Sequence, residues 1–77
     1  MLDWKTYIES NPTILYGKPI IKNTRISVDL ILEKLAEGDT IPDLLEAYSN
    51  LTSESILACF AFASFSVKNE VILSKPS

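Results

Sequence analysis

From Ser55 to Val67 the sequence runs without a charged residue, and no other feature limits the chain's fold as strongly. Wound as an α-helix, at 100° per residue, this run puts Ile56, Cys59, Phe60, Ala63 and Val67 on one face. Leu57, Ala58, Ala61, Phe62 and Phe65 occupy much of the rest. A helix that is apolar all round has to be covered all round. A chain of 77 residues makes one domain with a thin core, which covers one side of such a helix. The other side, with Leu57, Phe62 and Phe65, calls for a second chain, most simply another copy in a dimer. The competing reading is that the N-terminal part of the same chain covers it. The run is shorter than the roughly 17–25 residues that a membrane-spanning helix requires.

Upstream, the sequence divides into short elements. Residues 2–10 have the spacing of a short helix, with Trp4, Tyr7 and Ile8 as its apolar stripe, and Asn11-Pro12 ends it. Residues 13–26 read as a β-hairpin: Ile14-Leu15-Tyr16 and Ile20-Ile21 are its strands, around a turn at Gly17-Lys18-Pro19. Pro19 removes one ladder donor, so the ribbon should be short or lie at an edge. Lys22-Asn23-Thr24 is a second turn, where Asn23 tolerates positive φ.

Residues 27–67 read as a helical core. Ser27 caps a helix carrying Val28, Ile31, Leu32 and Leu35, and Gly38 stops it. Thr40 caps a second helix with Pro42 in its first turn and an apolar side of Leu44, Leu45 and Tyr48. Thr52 or Ser53 caps the third, which runs to about Val67. The fold class expected is therefore mainly α: a trihelical core with a helix-turn-helix outline, preceded by a short β-hairpin. Residues 68–77 form a tail, in which Val71-Ile72-Leu73 could join a partner or simply fray.

Charge is divided unevenly. Lys18, Lys22 and Arg25 stand on the ribbon with no acid between Gly17 and Arg25. From Asp29 to Glu54 seven acids face one base, Lys34. A net charge of -3 makes the chain a poor general ligand for nucleic acid or an anionic membrane. The third helix would offer Ser53, Glu54 and Ser55 to a DNA groove, with no Arg or Lys for phosphate or guanine. DNA contact would therefore fall on Lys18, Lys22 and Arg25. The plainer reading makes the two lysines solvated turn charges and Arg25 a tie between the ribbon and a carboxylate or helix-end carbonyl.

Nothing here reads as catalytic, metal-binding or cofactor-binding. Histidine, the commonest general base and metal ligand, is absent. Cys59 sits mid-helix among apolar residues with no basic neighbour, which suits core packing. It has no second cysteine to pair with, and the N-terminus is broken by Asp3 and Glu9 rather than shaped as a leader. Both point to a cytoplasmic, reducing setting.

One stretch resembles a known family. Gly17-Lys18-Pro19-Ile20-Ile21-Lys22-Asn23-Thr24-Arg25-Ile26 is similar to the "G-K-P-x-I-K-G-T-R-I" signature of the domain-of-unknown-function family numbered 433. Leu35-Ala36-Glu37-Gly38, Tyr48 to Leu51, Ile56 and Ala58 echo its second half, so the likeness covers roughly Tyr7 to Ala63. Asn23 stands where that pattern usually has glycine, and Ser49 where it usually has proline. The resemblance implies a small homeodomain-like helical protein. It also implies an antitoxin that binds and neutralises a PIN-like ribonuclease and represses its own operon. The alternatives are a DNA-binding regulator, or a structural homodimer with no toxin partner. Leu30, which points away from its helix's main stripe, joins Leu57, Phe62, Phe65, Val71, Ile72 and Leu73 as an interface candidate.

Overall fold

The computed structural model describes residues 2–69, and its elements start and stop where side chains satisfy the backbone. Asp3 accepts a hydrogen bond from the Lys5 amide at 3.1 Å and opens a single 3-10 turn, Trp4–Thr6. The expected helix over 2–10 goes no further. The chain passes directly into strand β1, Ile8–Ser10, whose Ile8 is buried while Glu9 and Ser10 face outward. One inward residue in alternation satisfies a strand as well as a helical stripe does, and the ladder with β2 decides between them.

That second strand, β2, is Pro19–Ile21 and pairs antiparallel with β1 in the register Ile8↔Ile21, Glu9↔Ile20 and Ser10↔Pro19. A short hairpin is thus present, but its first strand is not Ile14-Leu15-Tyr16. Those residues lie in the connection, where Leu15 and Tyr16 take φ of 50° and 58° and Gly17 takes 81°. Left-handed backbone cannot continue a ladder. The connection is set up by Asn11, whose side chain accepts from the Thr13 amide at 2.9 Å and the Thr13 hydroxyl at 2.7 Å. Asn23 is left-handed as the sequence suggests, with φ of 64°. Thr24 closes that turn by donating to the Ile21 carbonyl and accepting from the Ile26 amide.

Three helices follow. Helix α1, Val28–Ala36, is capped by Ser27, which accepts from the Leu30 amide at 3.2 Å. It ends in a Schellman arrangement: Gly38, at φ of 110°, donates to the Leu35 carbonyl, and Asp39 to the Lys34 carbonyl. Helix α2, Ile41–Ala47, opens with a reciprocal capping box between Thr40 and Asp43. Helix α3, Ser53–Lys68, opens with a second box between Thr52 and Ser55. The core gathers Ile8, Ile21, Val28, Ile31, Leu44, Leu51, Ile56, Ala58 and Cys59. Chain order and packing agree with a mainly helical fold carrying a hairpin in front.

Candidate protein-interaction surface

Helix α3 sits against the 3-10 turn, β1, α1 and α2, and these contacts fix which side of it is covered. The covered arc contains Ser55, Ile56, Ala58 and Cys59, with Ala61 at its edge. Burial raises the Cys59 thiol to about 11, so it is a packing residue and not a thiolate. The outer arc is still apolar. Leu57 is 47% exposed, Phe60 44%, Phe65 48% and Val67 68%. Phe60 and Val67 were expected on the inward face with Ile56 and Cys59. Phe60 lies about 100° from Cys59, at the margin of the covered arc, and Val67, though within about 20° of Ile56 around the helix, lies in the last turn of α3.

Phe62 and Phe65 divide between the two readings of the sequence. The ring of Trp4 meets Phe62 edge-on, with centroids 4.8 Å apart, and Phe65 at a tilt, 5.4 Å apart. Phe62 is therefore half-buried and packed on the core, and the N-terminal segment does cover it within one chain. Phe65 keeps nearly half of its surface in solvent. The open face shifts instead toward Leu57 and Phe60. There, with Leu2, Ala61 and Ser64, they line a groove of ≈ 370 Å³. Leu30 is half-buried and lines a different groove, with Leu15, Tyr16, Lys18, Arg25 and Glu33. Val71, Ile72 and Leu73 lie outside the described residues.

Lys18 is held by Asp29 at 3.1 Å, so one of the three candidate DNA contacts already has an acidic partner. The Ser27 hydroxyl also donates to Asp29, and that bond, followed by the Lys18 contact, holds its carboxyl below the usual range. Arg25 was expected to tie the ribbon to the body. It is exposed and makes no ion pair or side-chain hydrogen bond with another described residue, and Lys18 makes that tie in its place. Lys22 is exposed on the same turn as Arg25. The first turn of α3 is also poorly placed to read DNA. Ser55 is buried and its hydroxyl accepts from the Thr52 amide at 3.0 Å, which leaves Glu54 and Ser53 as the outward side chains.

Acids are exposed on α1, on α2 and on the link between them. Glu33, Glu37, Asp39, Asp43 and Glu46 are all solvent-facing. Asp43 accepts from the Thr40 amide at 2.9 Å, which lowers its pKa. Among the described residues no group of acids, Cys or His is arranged to hold a metal ion. Nor is any described helix long and apolar enough to cross a membrane.

The hairpin, the first two helices and most of α3 lie within residues 8–63, which match a family model described as "Protein of unknown function (DUF433)". This chain belongs to the DUF433 family. A crystal structure of a DUF433 member protein from Anabaena variabilis superposes with a TM-score of 0.70 at 27% identity, over 87% of this chain and 63% of that one. The uncharacterized protein y4eO of Sinorhizobium fredii is 32% identical over 56 residues, which is 73% of this chain and 25% of that protein. This DUF433 chain thus spans about a quarter of that relative's length. The outer end of α3, with Phe65, Val67 and Lys68, lies beyond the matched family segment, as do Leu2 and Trp4.

Leu2, Phe60, Ala61, Ser64 and Val67 were not singled out as interface residues from sequence. For the residues on α3 the signal was present in the capping box. Ser55 is its third residue and points inward, which fixes the rotation of every later residue on α3.

Proposed function

We propose that this chain is a non-enzymatic binding module of antitoxin type, which captures and neutralises a PIN-like ribonuclease in the cytoplasm. The observation that carries the reading is the outer face of α3. Leu57, Phe60 and Phe65 stay about half exposed on a helix with no charge between Ser55 and Val67. A single body of this size leaves that face uncovered, and contiguous apolar patches on small proteins mark protein contacts. The acidic series Glu33, Glu37, Asp39, Asp43 and Glu46 supplies a second surface. It suits the basic groove with which a ribonuclease holds RNA, favouring encounter and specificity.

Autoregulatory DNA contact is a secondary reading. It falls on Lys22 and Arg25, exposed together at the Ile21–Ile26 turn, and not on α3. Co-expression with a PIN-like ribonuclease from the same genome tests the main reading. A stable complex that lifts growth arrest is the expected result. No complex and no change in growth refutes it.

A further inference from the structure

We infer that the outer face of α3 pairs with the same face of a second copy, the two helices running antiparallel and crossing at Ala61. The inference rests on the reading of α3 as a docking surface and names its occupant. Two observations lead to a second copy, and a third sets how tightly it is held.

The first is self-complementarity. The face carries projecting side chains, Leu57 and Phe60, beside a groove floored by Ala61 and flanked by Leu2 and Ser64. A two-fold interface requires one patch to supply both the projections and the recess, and this patch does.

The second is charge. Glu54 and Lys68 bracket the uncharged run, and Ala61 lies midway between them. They are roughly four turns apart and within about 40° of each other around the helix. Both are exposed and neither is paired with another described side chain. An antiparallel crossing at Ala61 sets Glu54 of each copy beside Lys68 of the other, twice. A parallel crossing sets Glu54 on Glu54 and Lys68 on Lys68. Antiparallel helix dipoles favour the same choice.

The third is area. Leu57, Phe60 and Val67 share one side of α3, and their exposed parts supply roughly 250–300 Å² per chain. Two copies then bury about 500–600 Å² through these side chains, below the standard size of stable interfaces, so the pair is a weak one. Weak pairing permits the module to exchange partners.

Sedimentation equilibrium on the full chain, from about 1 μM to about 1 mM, tests this directly. A reversible monomer–dimer equilibrium is expected. Leu57→Glu should weaken it at least about tenfold, because it buries a charge without a partner. Glu54→Lys and Lys68→Glu should each weaken it about three- to tenfold, and the double reversal should restore it. Circular dichroism melts separate these effects from loss of the fold, since all three residues are exposed. A monomer throughout the range, or a dimer indifferent to Leu57→Glu and to the reversals, overturns the inference. A strict monomer that still captures the nuclease sinks the self-pairing and leaves the proposed function standing. A dimer that captures no nuclease does the opposite.

Discussion

Replacing Trp4 with alanine should destabilise the chain by about 2–3 kcal/mol. Full truncation of a buried Phe or Trp costs roughly 3–5 kcal/mol. Trp4 is partly buried, so about two-thirds of that applies. Two aromatic contacts, at 4.8 Å to Phe62 and 5.4 Å to Phe65, are part of that loss. The total stability of a 77-residue domain is on the order of 4–12 kcal/mol, so the loss is a large share of it. Thermal unfolding followed by far-ultraviolet circular dichroism should show Tm falling by roughly 10–20 °C. Phe65→Ala is the control. That ring is 48% exposed, and its loss should cost less than about 1.5 kcal/mol. Trp4 is the single tryptophan, so its native emission should be blue-shifted and should move red on melting. A Tm change under about 3 °C for Trp4→Ala would show that the N-terminal segment does not secure α3, and would refute the reasoning.

Gly38→Ala forces a φ of 110° on a residue with a Cβ, and a loss of about 1–3 kcal/mol in a urea titration is expected although that Cβ would meet no neighbour. Asp29 and Asp43 both have lowered folded-state values, so the stability they contribute is present above their unfolded pKa of 3.8 and drains away as pH falls through the folded values. Melts from pH 6 down to about pH 2 should show Tm falling in that acid window, with a shallower fall for Asp43→Ala. Cys59, fully buried and with its thiol raised to about 11, should resist a thiol reagent at about pH 8 in the native state and react at once in denaturant. Rapid native labelling would contradict the burial.

The helical half of the chain was legible because its boundaries are chemical. Ser27, Thr40 and Thr52 cap where their hydroxyls suggest, and Gly38 stops α1. The hairpin was half legible. Ile20-Ile21 is a strand, but its partner is Ile8–Ser10, and three-residue strands leave too little alternation to separate helix from strand. Ile14-Leu15-Tyr16 has strand-like residues, yet Leu15 and Tyr16 adopt a left-handed backbone that residue type alone does not announce. On α3 the wheel correctly indicated more apolar surface than the core can use. It placed Phe60 and Val67 inside, although Phe60 stands at the margin of the covered arc and Val67 in the helix's last turn. It also left open how much Trp4 covers, because tertiary contact settles that and periodicity does not.

The reciprocal hydroxyl pair of Thr52 and Ser55 does more than start a helix. By anchoring one small side chain toward the interior, it indexes the sixteen-residue cylinder like a key in a slot. A slip of one residue there would swing every later side chain by about 100° and carry the Leu57–Phe60 ridge out of register with anything meant to meet it. Recognition along the whole of that ridge is therefore governed by two polar atoms at its root.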